Sequence, residues 1–344
     1  MTASEANLIR KLRTAAPHSG NRAANQSGIV MGIGDDAALF RPRRGYETVL
    51  TCDWFLEGTH FLRDKHPADS VGWKCLARAV SDIGAMGAEP RCFLLSLALP
   101  ESLTGRWLDQ FLSGLRRAAR KLHCPLAGGD TTRQSKVLIN ITVVGEVRAN
   151  RAALRSGARP GDLIYVSGRL GQAELGLHLL RGKRTVPNLS PAIKNAVLKK
   201  HLYPEPRIAL ARWLAERNLI TSMMDLSDGL SSDLPRLCAA SQVGAHIDAS
   251  QIPCARFPKW NQSGKSHSLR PPKINALDLA LNGGDDYELL FTVPPTKSHR
   301  VPRLFRGHPL TAIGKITRNC ALLLTNPDGR SQPLKPAGWD PFRP

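Results

Sequence analysis

Between positions 68 and 86 the apolar residues Cys75, Leu76, Ala79, Val80 and Ile83 recur at three- and four-residue steps, which predicts a helix with Asp69 or Ser70 as its cap. A second stripe of Leu108, Phe111, Leu112, Leu115, Ala119 and Leu122 predicts a helix over 104–123. Strands are predicted at 47–53, at 92–99 and over 136–147, where apolar and polar residues alternate. Around 148–162 the chain turns basic and turn-rich (RANRAALRSGARPGD), which predicts a boundary between domains 1–148 and 149–344. Beyond it the pattern predicts helices at 173–181, 191–201 and 206–217, a strand ending at Asp225, a helix from Ser227, and strands near 244–247 and 287–293. Both halves read as α+β. Residues 254–272, rich in Pro, Ser, Lys and Arg without periodicity, read as a surface excursion.

Composition narrows the class. With 344 residues, 42% hydrophobic and 22% charged, the chain has the makings of one large or two medium globular domains. Its longest apolar runs fall short of the roughly 20 residues that cross a bilayer, and the first ten residues lack a signal-peptide core, so no membrane association and a cytoplasmic location are expected. Seven scattered cysteines, never in a C-x-x-C pair, argue against a disulfide framework or a zinc site. All but Cys52 read as small core residues. The formal charge of +20 argues for attraction to a polyanion without saying which. Because the basic residues are dispersed and aromatics make up only 6%, neither a basic stripe nor a stacking platform is present, and specific nucleic-acid binding is not expected.

The acids are concentrated where the bases are not. Thirteen of 28 lie in short motifs: GIGDDAALF (32–40), LTCDWFLEGTHF (50–61), AVSDIGAMGAEP (79–90), AGGDTTR (127–133), MDLSDGLSSDL (224–234) and GGDDYELLF (283–291). Each has a local explanation at a turn or strand end: Asp beside Gly suits turns, Ser227 or Asp228 suits a helix cap, and Asp82 suits a solvated helix face. Together they pair glycine-rich backbone with hard oxygen donors, the chemistry that magnesium and nucleotide phosphates require. Two carboxylates about 4 Å apart repel by roughly 4 kcal/mol at an effective dielectric of 20, so a convergent cluster calls for cations. There is no G-x-x-x-x-G-K-[ST] loop, no kinase H-R-D…D-F-G set and no H-E-x-x-H helix. An ATP enzyme would therefore need another fold.

In order along the chain, GIGDDAA, T-x-D…G-x-HF, SDIGAMGAEP, GGDTTR, RSGARPGD, DLSDGLSSDL and GGDDYELLFT resemble the thiamine-monophosphate kinases of the aminoimidazole-ribonucleotide synthetase superfamily, from about position 29 to 342. The resemblance implies a two-domain α+β fold whose N-terminal domain contributes to a β-barrel spanning a homodimer. It implies ATP- and magnesium-dependent transfer of a phosphoryl group to thiamine monophosphate. It further implies that Asp36, Thr51, Cys52, Asp53, Asp82, Asp130, Asp225 and Asp228 surround several magnesium ions, that Gly129, Asp130, Arg155 and Ser227 contact ATP, and that His60, Asp285 and Trp339 contact the acceptor. No covalent or acid–base residue is implied. Cys52 stands where the family usually offers a hydroxyl, and a neutral thiol is a poor magnesium ligand, so its carbonyl is the donor expected there. Asp285 stands where relatives often carry Glu, with a reach one methylene shorter. On the residues alone His60 also reads as a structural histidine and Trp339 as a core anchor. Two other readings stay open: a sister enzyme of the superfamily acting on another phosphorylated substrate, and a nonenzymatic nucleotide or polyanion binder.

Overall fold

A computed structural model describes residues 10–12, 28–33, 35–182, 189–256 and 274–342. Gly34 of the first acidic motif and most of the basic 254–272 segment lie outside the described residues. The chain divides into two compact units, Met1–Ala153 with Glu205–Arg217, and Leu154–Pro204 with Asn218–Pro344.

In the first unit a short ribbon of β1 (Ile29–Met31) and β2 (Leu39–Phe40) precedes β3 (Tyr46–Leu56), α1 (Ala68–Ala85), β4 (Glu89–Leu99), α2 (Arg106–Lys121), β5 (Leu126–Arg133) and β6 (Leu138–Arg148). The four long strands form an open sheet in the order β3-β6-β4-β5, antiparallel except for the β4–β5 pair. Alternation along β3 makes the sheet two-faced. Val49 and Phe55 are buried with α1, while Leu50, Cys52 and Trp54 on the other side are exposed. The apolar stripes of α1 and α2 meet where Gly72 faces the Phe111 carbonyl and Gly114 faces that of Asp69, so closely that a methyl group at either glycine would overlap the neighbouring backbone.

The second unit opens with β7 (Leu163–Ser167), α3 (Gln172–Leu180) and α4 (Pro191–Leu202); α5 (Ile208–Glu216) then belongs to the first unit. There follow β8 (Ser222–Leu226), α6 (Leu230–Ser241), β9 (Gly244–Asp248), α7 (Ala276–Asn282), β10 (Glu288–Val293), β11 (Leu304–Phe305), β12 (His308–Thr317), β13 (Leu322–Thr325) and β14 (Ser331–Pro333). Seven of these strands run β14-β13-β9-β12-β7-β10-β8, with β11 paired to β12. Strands β7, β8 and β10 are buried almost throughout, and Met224, Leu226 and Leu290 pack with Leu230, Leu234 and Leu237 of α6. No described helix is long and apolar enough to cross a membrane.

Four expectations need correction. Neither Asp69 nor Ser70 caps α1: the N-cap is Pro67, whose carbonyl accepts a 2.7 Å bond from Ser70 Oγ. AGGDTTR is strand, not turn, because β5 runs parallel to β4 and takes the whole motif into the ladder. Neither Ser227 nor Asp228 caps α6: that place falls to Gly229, whose φ of +101° and crowding by the Leu281 carbonyl oxygen at 2.9 Å from any Cβ exclude other residues. Cys75, Cys92, Cys124 and Cys238 are core thiols as expected, but Cys320 is exposed and Cys254 half-buried.

Candidate functional site

The first unit gathers three of its candidate ligands on one side of the sheet. Thr51 and Asp53, two apart on β3, point toward α1. Thr51 Oγ1 donates to Asp82 Oδ2 of α1 at 2.6 Å. Arg78, one turn before Asp82, places its Nε 3.4 Å from Asp53 Oδ2 and its guanidinium over the Phe55 ring. Two carboxylates and a hydroxyl thus share this side of the sheet, one of the carboxylates facing a cation supplied by the protein. All three side chains are half-buried.

The ladder sends two other candidates elsewhere. Cys52 lies on the open face, its Sγ 3.1 Å from Asn140 Nδ2. Asp130 is in register with Ser96, Ser96 with Asn140, and Asn140 with Trp54, so its carboxylate leaves on that same open face. Gly129 is in register with Leu95 and, through Ile141, with Asp53; a Cβ there would overlap the Leu95 carbonyl oxygen. Asp36 is exposed, its amide bound to Asp35 Oδ1 at 2.9 Å. His60 Nδ1 accepts the Leu56 amide at 3.0 Å, with its ring centroid 5.9 Å from that of Phe55. That nitrogen is therefore engaged by the backbone.

In the second unit the turn between β8 and α6 is the hub. The Ser227 carbonyl accepts the Asp285 amide at 2.8 Å, and the Asp228 carbonyl accepts the Trp339 amide at 2.9 Å. Four candidates are therefore tied by backbone bonds within one loop cluster. Fully buried Asp233 organises it, accepting the Ser227 and Asp228 amides at 3.1 Å each. Arg236 bridges Asp228 Oδ2 at 2.5 Å and Asp233 Oδ1 at 2.8 Å. Burial, helped by the Asp228 charge, pushes the Asp233 carboxyl up to about 7, against the opposing pull of those amides and Arg236. Asp225 is buried on β8 opposite Leu289, Trp339 is largely exposed, and Arg155 is exposed in the loop before β7.

Sequence reasoning missed Arg78, Asp233 and Arg236. Asp233 was inside the quoted DLSDGLSSDL motif, and its distance of five to six residues from the amides it holds is the signal that was available. Nothing local marks Arg78, whose partner is 25 residues away.

The donor set suits a hard cation. Thr51, Asp53 and Asp82 offer only oxygen, and magnesium ordinarily takes one or two carboxylates and completes its shell with water and substrate phosphate. Among the described residues no three His, Cys, Asp or Glu side chains are gathered as a closed metal cage, which such a shared shell does not need.

Residues 34–147 match the N-terminal domain model of the AIR synthase related proteins, and residues 159–322 match the C-terminal one. Thiamine-monophosphate kinase of Escherichia coli K12 is 38% identical over 317 residues, covering 91% of this chain and 92% of its own length. The chain belongs to the thiamine-monophosphate kinase family of AIR synthase related proteins. The Bacillus subtilis member of the family is 32% identical over 94% of this chain and 96% of its own. Among solved members, the kinase of Stenotrophomonas maltophilia K279a superposes with a TM-score of 0.76 at 34% identity, over 96% of this chain and 99% of that one. A structure of AaThiL complexed with AMPPCP and TMP gives a TM-score of 0.72 at 31% identity, over 98% and 97% of the two chains.

Proposed function

We propose that this chain transfers the terminal phosphoryl group of ATP to thiamine monophosphate, giving thiamine diphosphate and ADP. The observation that carries the reading is identity above 30%, over more than nine tenths of the chain, to kinases named for that reaction. A phosphate oxygen of the acceptor attacks the γ-phosphorus, and the bond from that phosphorus to the ADP oxygen breaks. The acceptor is a phosphate monoester with a second pKa of about 6, mostly dianionic at neutral pH, so no general base is required. The cost to be met is repulsion between two polyanions, which positioning and electrostatics must offset.

Thr51, Asp53 and Asp82 would hold magnesium on the α1 side of the sheet. Asp36, Asp130, Asp225 and Asp228 belong to the wider set that the family resemblance assigns to further ions, with the Cys52 carbonyl beside them. Bound there, magnesium would neutralise charge on the transferring phosphoryl group. Arg78 and Arg236 stand against the Oδ2 oxygens of Asp53 and Asp228 as resident counter-ions for these carboxylates. Gly129, Asp130, Arg155 and Ser227 are the proposed ATP contacts, and His60, Asp285 and Trp339 those of the acceptor.

The decisive experiment supplies purified protein with ATP, magnesium and, in parallel, thiamine monophosphate, thiamine or formylglycinamidine ribonucleotide, with products read by mass. Thiamine diphosphate from the monophosphate alone supports the reading; turnover of another acceptor moves the chain to a sister activity. If nucleotide binding collapses with ionic strength and ignores magnesium, the chain is a polyanion binder instead.

A homodimer belongs to the same reading. Leu50, Trp54 and Leu94 are 68%, 55% and 38% exposed on the open face of the four-stranded sheet, an apolar surface suited to a second copy of the chain. Two such sheets facing each other would make the barrel that the family resemblance implies. The thiols report on it. Burial raises Cys92 and Cys238 to about 12 and pushes Cys75 and Cys124 well above the ordinary thiol value, leaving Cys52 and Cys320 exposed. A thiol reagent at pH 8 is expected to modify Cys320 fast and Cys52 slowly if that face is covered, and both fast if the protein is monomeric. A cytoplasmic location fits seven cysteines that are all free thiols.

A further inference from the structure

Residues 283–288, reading GGDDYE, lead from α7 into β10, and their acids divide between burial and exposure. Asp286, 3% exposed, accepts the amides of Gly171 at 2.5 Å and Ala173 at 3.1 Å, anchoring the start of α3. Glu288, 1% exposed, accepts Ser167 Oγ at 2.6 Å and pairs with Lys200 Nζ at 2.5 Å. Asp285 differs, because its side chain keeps 28% of its surface open.

Its carboxylate is nonetheless set from two sides. Tyr287, only 3% exposed, donates its hydroxyl to Asp285 Oδ1 at 2.7 Å, and buried His201 of α4 holds Nδ1 3.9 Å from Oδ2. The backbone is strained to allow this. Asp285 and Tyr287 have φ of +67° and +47°, and both amides are fixed at 2.8 Å, to the Ser227 and Leu226 carbonyls. Left-handed backbone at non-glycine residues is costly and collects at ligand clamps. Here it brings a buried phenol under a carboxylate that faces outward, and structural packing alone would not require that hydroxyl.

We propose that Tyr287 is a positioning residue for acceptor binding: its hydroxyl fixes the Asp285 carboxylate as a recognition group for a cationic, amino-bearing acceptor. The proposal rests on the reading of the chain as a thiamine-monophosphate kinase and adds to it a residue whose part is orientation. Thiamine phosphates carry a fixed positive ring and an exocyclic amine, both of which a preset carboxylate favours over a neutral acceptor.

Tyr287→Phe keeps the ring and removes the hydroxyl. It is expected to raise KM for thiamine monophosphate about tenfold, the scale of one hydrogen bond to a charged group. The KM for ATP and kcat should stay within about twofold, the pattern of lost acceptor binding. If the hydroxyl acts through Asp285, Asp285→Asn raises the same KM and the double variant raises it no further. An unmoved acceptor KM, a parallel rise for ATP, additive losses in the double variant, or a Tyr287→Phe chain that does not fold would each overturn the positioning role. A wild-type protein that leaves thiamine monophosphate untouched would instead overturn the functional reading and this proposal with it, so the two failures are distinct.

Discussion

Asp53→Asn is expected to lower kcat/KM for thiamine diphosphate formation by about 100-fold or more, at roughly 1.4 kcal/mol per tenfold, while the protein melts near the wild-type temperature. The substitution conserves volume and removes the charge. Structurally it gives up one long contact, Arg78 Nε to Oδ2 at 3.4 Å, in a pair that is partly open to solvent. Such a pair contributes about 1 kcal/mol or less to stability. Chemically it removes one of two carboxylates that share a face of the sheet with the Thr51 hydroxyl. Mn2+ binding followed by its paramagnetic signal should weaken in the variant without any turnover being measured. Wild-type activity and wild-type Mn2+ affinity together would remove Asp53 from the ligand set.

Asp130→Asn makes the sharper comparison, because β5 sends that carboxylate to the opposite face. Equal losses at the two positions would mean that nucleotide and metal reach both faces around the exposed β5 edge. A loss at Asp53 alone would confine the ion to the α1 side and leave Asp130 as part of the outer surface. The distinction arises only once the ladder register is known.

What was legible in the sequence is what depends on neighbours a few residues away. The stripes of α1 and α2 and the alternation of β6 came directly from apolar spacing, since burial against a sheet imposes those periods. The helix starts did not: Ser70 and Ser227 are good capping residues in isolation, but Pro67 takes the cap of α1 and Gly229 that of α6, while the Ser227 and Asp228 amides are held from within the helix by Asp233. AGGDTTR carries the composition of a turn and becomes strand because β4 supplies a parallel partner about 35 residues away in sequence. Strands β12 and β13 were not anticipated, because their ladders with β7 and β9 join residues far apart in sequence. In the candidate site, residue types were legible and faces were not. Six acidic motifs announce hard-cation chemistry, yet which carboxylates share a surface is decided by register, and which carry a resident counter-ion depends on Arg78 and Arg236.

Glu146 is a position where a single change should cost the fold heavily. Its side chain is fully buried on β6, and it accepts the Arg43 amide at 2.8 Å and Arg43 Nε at 2.5 Å, with Arg91 Nε 3.3 Å from the same carboxylate. Arg43 also bonds Glu89 at 2.7 Å and lies over the Tyr46 ring at 3.9 Å, while Glu89 pairs with Arg212 of α5. Arg91 Nε is buried with no hydrogen-bond acceptor among the described residues, so the Glu146 charge is what compensates it. Glu146→Ala would strand that guanidinium, and removing one partner of a buried pair costs about 3–5 kcal/mol. At about 2–4 °C per kcal/mol for a unit of this size, thermal unfolding should fall by roughly 10 °C. Glu146→Gln, which keeps an acceptor oxygen and the volume, should lose less. Because Arg43, Glu89, Glu146 and Arg212 line a cavity of about 360 Å3 that holds none of the candidate ligands, activity assayed well below the melting temperature should be retained. A melting temperature unchanged in Glu146→Ala would mean that water reaches the arginines and the cluster is solvated; equal falls for Ala and Gln would mean that charge, and not the hydrogen bonds, holds β6 to the start of β3.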